Sequence, residues 1–148
     1  MVSALDHKTG CEVAIKINRN TELDHKFAAN EANLLQYLMD EDPNDESHIV
    51  RLVEHIMFRD HSCFVFELLN SDLYVHLKES EYQGFSESQI KNYAKQLLKS
   101  LIFLEERDVI HCDLKPENIL CANADRSVLK VVDFGSGCFT SDQVYTYV

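Results

Sequence analysis

The segment that most restricts what this chain can fold into is His111-Cys112-Asp113-Leu114-Lys115-Pro116-Glu117-Asn118, with Asp133-Phe134-Gly135 further along. It places a carboxylate, an amine, an amide oxygen and a second carboxylate in short loops, the first directly after the apolar pair Val109-Ile110. Such groups act together only if the backbone brings the two loops face to face. Asp113 can accept or orient the proton of an attacking hydroxyl. Lys115 can neutralise charge on a transferred phosphoryl group, and Asn118 and Asp133 offer one neutral and one anionic oxygen to magnesium. Either string alone reads as a polar turn. Together, at this spacing and behind an apolar strand, they point to phosphoryl-transfer chemistry, which is nearly all positioning and charge neutralisation.

The chain has 148 residues, enough for about one domain. Lys plus Arg is 14 against 25 Asp plus Glu, a net charge of −11. That balance argues against non-specific binding to nucleic acid or an anionic membrane and is compatible with basic peptide substrates. The five cysteines are odd in number, widely spaced and without a CxxC pair. They read as reduced thiols of an intracellular protein, cytoplasmic or nuclear, and not as a disulfide framework or zinc site. Met1 to Lys8 has no apolar stretch of the signal-peptide kind, and no apolar run approaches the roughly 20 residues of a membrane span.

The opening reads as a hairpin, Val2–Leu5 and Cys11–Asn18 about a polar turn, with Val13, Ile15 and Ile17 on one face and Ala14 and Lys16 on the other. A helix is expected from Thr21 to Met39, with Phe27, Glu31, Leu34 and Leu38 on one stripe. The acidic run Asp40 to Glu46 ends it and reads as a solvated loop. Two strands, Ile49–Phe58 and Cys63–Glu67, flank the connector Arg59-Asp60-His61-Ser62. A short helix is expected over Asp72–Lys78. A longer one starts at Ser86, where Ser86 with Gln89 forms a capping box and Phe85 with Ile90 a hydrophobic staple. Its apolar stripe is Ile90, Tyr93, Ala94, Leu97, Leu98, Leu101 and Ile102. Short strands follow at Val109–Ile110, Ile119–Cys121 and Leu129–Val132. This order implies an α+β fold with two sub-regions meeting near Leu68–Asn70.

Two further residues gain meaning from the loop motif. Glu31 lies on the apolar stripe of its helix, where a lone carboxylate is costly unless paired. Lys16 shares a strand face with the small Ala14, which leaves room for a flat base. A Lys16–Glu31 ion pair would aim the amine at nucleotide phosphates. Phe66-Glu67-Leu68-Leu69 ends an apolar strand where backbone groups could hydrogen-bond adenine, with Phe66 restricting the pocket behind. His111 is expected to pack with Phe134 and Leu35, linking the two sub-regions.

Across its whole length the chain resembles a protein kinase of the dual-specificity tyrosine-regulated (DYRK) family. The segments that carry the resemblance are Ala4 to Gly10, Val13-Ala14-Ile15-Lys16, Phe66-Glu67-Leu68-Leu69, Gln83-Gly84-Phe85-Ser86 and His111 to Leu120. The most specific features are Cys112, where most kinases have arginine, and Tyr145-Thr146-Tyr147 after Asp133 to Cys138. The resemblance implies ATP- and magnesium-dependent phosphorylation of Ser/Thr on protein substrates, with autophosphorylation of Tyr147. It places Ala14, Lys16, Phe66, Glu67, Leu69, Asn118, Leu120 and Asp133 at the ATP site, and Asn118 and Asp133 at the metal. It also implies a bilobal architecture: residues 1–67 in the N-lobe, 68–70 as hinge and 71–148 in the C-lobe up to the activation loop.

The departures are equally specific. None of the four glycines can build the GxGxxG loop that covers nucleotide phosphates, and Met1 stands where the adenine-capping valine belongs. The only prolines are Pro43 and Pro116, so no Ala-Pro-Glu segment is present. The expectation is a truncated kinase fold, lacking its first strand and with the helix from Ser86 left partly uncovered. Such a chain would be marginally stable and of little activity alone. The alternative is a non-catalytic truncated kinase that binds nucleotide or a partner. No Walker or dinucleotide signature supports another nucleotide-binding class.

Overall fold

The computed structural model describes residues 1–142. Tyr145-Thr146-Tyr147 therefore lies outside the described residues. The N-terminal part is a four-stranded antiparallel sheet in the order β1-β2-β4-β3, built from β1 (Val2–Leu5), β2 (Glu12–Ile17), β3 (Leu52–Phe58) and β4 (His61–Glu67). Its first hairpin closes through Asp6, whose carboxylate accepts from the Lys8 amide and the Thr9 hydroxyl, while Gly10 takes a φ of +75°. The β3–β4 connection is tighter than the four polar residues suggest. Only Arg59 and Asp60 form the turn, both with positive φ, and His61 and Ser62 already belong to β4. A two-residue turn of that hand matches the twist of its strands. At the other end, β3 starts at Leu52, and Ile49 instead bridges to Val131.

Helix α1 (Glu22–Glu41) is capped by the Thr21 hydroxyl, which accepts from the Asp24 amide. Its buried side is Ala28, Glu31, Leu34, Leu35 and Leu38. Phe27 is 47% exposed and does not belong to that stripe. The helix sits close enough to its neighbours that Ala28, one position on, takes the core-facing place. The acidic run after α1 is not wholly solvated either. Asp42 is buried and accepts from the Glu46 and Ser47 amides, each at 2.9 Å.

The C-terminal part holds α2 (Leu73–Glu79), capped by Asp72, and α3 (Glu87–Glu105), where Ser86 and Gln89 form a reciprocal capping box. The staple does not form as expected: Phe85 packs edge-on against Tyr93, and Ile90 is exposed. The inward face of α3 is also rotated. Tyr93, Gln96, Ser100 and Leu104 are buried, whereas Ile90, Ala94, Leu98, Leu101 and Ile102 are exposed. Gln96 and Ser100 are admitted because each is satisfied. Gln96 donates to the Ser127 carbonyl and accepts from the Leu129 amide, and Ser100 donates to the Ser47 carbonyl. Two small antiparallel ladders follow, β5 (Val109–Ile110) with β8 (Cys138–Phe139) and β6 (Ile119–Cys121) with β7 (Leu129–Val131). All five cysteines are free thiols.

The two parts share one core. Leu34, Leu35, Leu38, Phe64 and Phe66 from the first pack in one cluster with Leu104, Val109, Val131 and Phe134 from the second. Main-chain bonds stitch the seam: the Val50 amide donates to Val131, the Val131 amide to His48, and the Asn70 amide to Cys121. The result is a sheet-rich part and a helical part with a cleft between them, the α+β arrangement expected from the sequence.

Candidate active-site cleft

A cleft of about 460 Å³ opens between the two parts. Ala14 and Lys16 reach it from the same face of β2, Glu31 from α1, and Phe66, Glu67 and Leu69 from the end of β4 and the crossing that follows. Asn118 and Leu120 enter from the short 3₁₀ turn and β6, and Asp133 from two residues past the end of β7. Met1 also lines the rim.

The alternation of β2 points Lys16 inward, and the phase of α1 points Glu31 at it. Lys16 Nζ donates to both Glu31 oxygens at 2.7 and 2.9 Å and to Asp133 Oδ1 at 3.1 Å. Glu31 is only 4% exposed. Burial works against the charge on Lys16, but Glu31 and then Asp133 outweigh it and hold the amine above its ordinary range. Burial pushes the Glu31 carboxyl up, and the attraction of Lys16 offsets only part of that rise. The ammonium thus stays charged, and the carboxylate depends on it.

The residues of the His111–Asn118 segment form a second, linked group. His111 is buried, with its ring 4.7 Å from that of Phe134 in an edge-on arrangement, and Phe134 shares a core cluster with Leu35. The Asp113 amide donates to His111 Nδ1 at 3.2 Å, so Nε2 carries the proton and donates to the Val132 carbonyl at 2.9 Å. One imidazole therefore ties the Asp113 loop to the segment that delivers Asp133. Cys112 and Asp133 both have left-handed backbones, φ 64° and 63°. That conformation is sterically unfavourable for residues other than glycine, so the surrounding bonds must hold it.

Asp113 and Lys115 do not line the cleft itself; they stand at its mouth beside Asn118. Lys115 Nζ donates to Asp113 Oδ2 at 2.6 Å, and the Asn118 amide nitrogen donates to the Asp113 carbonyl and to Oδ2 at 2.9 and 3.0 Å. The Lys115 hydrogen bond is the main reason the Asp113 carboxyl is held below its ordinary range. Asp113 is consequently an ionised acceptor at neutral pH. With its nitrogen committed to Asp113, Asn118 has a carbonyl oxygen without a protein partner among the described residues. No group of three His, Cys, Asp or Glu that could hold a metal occurs among the described residues. Asn118 with Asp133 nonetheless suits magnesium, which keeps waters and takes one or two protein ligands beside phosphate oxygens.

The sequence reading missed several cleft residues. Val50 and Val132 form apolar wall. Val132 could have been found, since it immediately precedes Asp133; Val50, expected inside a strand, lies in the irregular stretch before β3. Glu67 reaches the cleft edge, but its side chain turns away to accept from the Arg51 amide and Lys130.

The protein kinase domain family matches residues 1–148. The chain is similar to a probable serine/threonine-protein kinase dyrk2 of Dictyostelium discoideum, 43% identical over 148 residues, all of this chain and 16% of the relative. It is 43% identical over 143 residues to dual specificity tyrosine-phosphorylation-regulated kinase 3 of Rattus norvegicus, covering 97% of this chain and 24% of the relative. It is also 43% identical over 148 residues to the DYRK-family kinase pom1 of Schizosaccharomyces pombe, covering 100% of this chain and 14% of the relative. The chain thus spans about a seventh to a quarter of the length of these relatives.

Proposed function

The chain belongs to the protein kinase domain family, on the side of its dual-specificity tyrosine-regulated members, and we propose that it supplies the nucleotide cleft and catalytic loop of a kinase that phosphorylates Ser/Thr on protein substrates. Residues 1–67 then form the N-lobe part, 68–70 the hinge and 71–148 the C-lobe part. The observation that carries the reading is the convergence of Lys16, Glu31 and Asp133 in one cleft, with Asp113, Lys115 and Asn118 at its mouth.

Protein kinases as a family use ATP and magnesium. Here Ala14 and Leu120 would hold the adenine from above and below. The hinge backbone at Glu67 and Leu69 would read its edge, and Phe66 would close the pocket behind. The Leu69 amide has no protein hydrogen-bond partner among the described residues, which leaves a donor for a base. Lys16, aimed by Glu31, would hold the α- and β-phosphates. Asn118 and Asp133 would hold magnesium, which when bound neutralises phosphate charge. Asp113, kept ionised by Lys115, would orient and accept the proton of the substrate hydroxyl. Lys115 would meet the charge on the transferred group. Tyr147 belongs to the same proposal as the autophosphorylation site. So does an intracellular location, cytoplasmic or nuclear. Among the described residues no helix is long and apolar enough to cross a membrane.

The test is transfer of labelled phosphate from ATP with magnesium to a Ser/Thr peptide. It is run on this chain and on the full-length protein that carries it, each beside an Asp133→Asn control. Transfer by the full-length protein, lost in the control, is expected. Nucleotide binding without transfer in either form would replace the proposal with a non-catalytic binding module.

A further inference from the structure

Lys130 lies in β7 and is only 5% exposed, a rare place for an ammonium unless it is paired. It is paired twice. Nζ donates to the two Asp45 oxygens at 2.9 and 2.7 Å and to Glu67 Oε1 at 2.6 Å. The same Glu67 oxygen accepts the Arg51 amide at 2.7 Å. The phosphoryl-transfer chemistry proposed above uses none of these side-chain contacts.

Each element that Lys130 joins carries a different piece of the cleft. Its own strand pairs Lys130 with Leu120, a cleft residue, and runs on into Asp133. Glu67 is the last residue of β4, where the crossing between the two parts begins. Asp45 lies in the loop after α1, the helix that delivers Glu31. Stability alone is a weak reason for an ammonium here, because apolar residues of similar volume commonly serve a buried site as well or better. What a charged strut adds is a fixed length and direction between groups on separate elements.

The geometry points to Lys130 as a positioning residue for the nucleotide. By holding Glu67 and Asp45 against β7, it sets the spacing between the adenine-reading backbone at the hinge and the magnesium ligand Asp133. The inference rests on the nucleotide-cleft reading of the proposed function.

The experiment compares wild type with Lys130→Met and Lys130→Arg in the full-length protein. MgADP affinity is measured by calorimetry, and KM for ATP and kcat by phosphotransfer. Lys130→Met is expected to raise KM for ATP and the MgADP Kd by about tenfold with kcat within about twofold. Lys130→Arg should recover most of the loss, since its fork can meet both carboxylates. A lysine that only stabilised the fold would lower the active fraction, hence apparent kcat, and leave KM unchanged; that result overturns the inference. If Lys130→Met does not fold, Asp45→Asn decides. It removes one carboxylate at an exposed loop, and should raise KM for ATP about threefold; an unchanged KM again overturns the inference. Failure of the wild type to bind MgADP would instead overturn the nucleotide-cleft reading itself.

Discussion

The pairing of Lys16 with Glu31 shows how much a single side chain can depend on another. Glu31 is almost fully buried on an otherwise apolar helix face, and Lys16 with its 2.7 Å contact is what makes its charge tolerable there. Removing the amine in Lys16→Met leaves a buried carboxylate without its partner. At pH 7 we expect a loss of about 1–3 kcal/mol, below the full cost of breaking a buried pair because Lys16 is partly exposed. The loss should depend on pH with a definite sign. The Glu31 carboxyl already stands above its ordinary value of 4.5 through burial, and loss of Lys16 raises it further. A carboxyl raised in the folded state favours folding fully below 4.5 and forfeits that contribution as the pH rises through its folded value. The deficit of Lys16→Met relative to wild type should therefore shrink as the pH falls from 7 toward 4.5. Thermal melts of both proteins over that range check this, and a deficit that does not change with pH would sink the argument.

At the scale of elements, the sequence disclosed what each segment is better than which way it faces. Thr21 and the Ser86–Gln89 box mark where α1 and α3 start, because capping depends on side chains a few residues apart. The inward faces were harder. In α1 the larger Phe27 looks like core, yet the small Ala28 allows the closer approach. In α3 an apolar count favours Ile90, Leu98 and Ile102, whereas the structure buries Gln96 and Ser100, whose hydrogen bonds run to loops distant in sequence. The same blindness hid Asp42 within the acidic run, since composition does not show which carboxylate meets free backbone amides. Asp42→Ala is expected to cost about 1–3 kcal/mol, because the Glu46 and Ser47 amides lose their acceptor. Asp42→Asn, which keeps one acceptor oxygen, should cost less. Burial opposes the charge on Asp42, but hydrogen bonds from Ser47 and Glu46 outweigh it and hold its carboxyl below 3.8. Its contribution is present above 3.8 and fades as the pH falls through the folded value. Urea titrations at pH 7 measure the cost; equal midpoints for wild type and Asp42→Ala would show that the loop is held by other contacts.

Over the whole molecule the question is whether the two parts flanking the cleft are one cooperative unit. The loop motif was legible because its residues are close in sequence, and with it the packing of Phe134 against Leu35; the backbone part of the joint was not. That part is Ile49 and Val50 meeting Val131, while Phe134 packs as expected into the cluster that holds Leu35. Phe134 is buried among residues of both parts and stacks edge-on with His111, so it reports on that joint. Phe134→Ala should cost about 3–5 kcal/mol, a large share of the roughly 5–15 kcal/mol that stabilises a typical domain. If the shared cluster makes one unit, the cost falls on both sides of the cleft. Hydrogen exchange is the measurement that separates the cases. Amides of β2 and β4 should lose protection by the same free energy as those of β6 and β7, in one transition. Loss of protection confined to β6 and β7 would mean that the sheet stands by itself, and that the cleft forms by docking two independently stable halves.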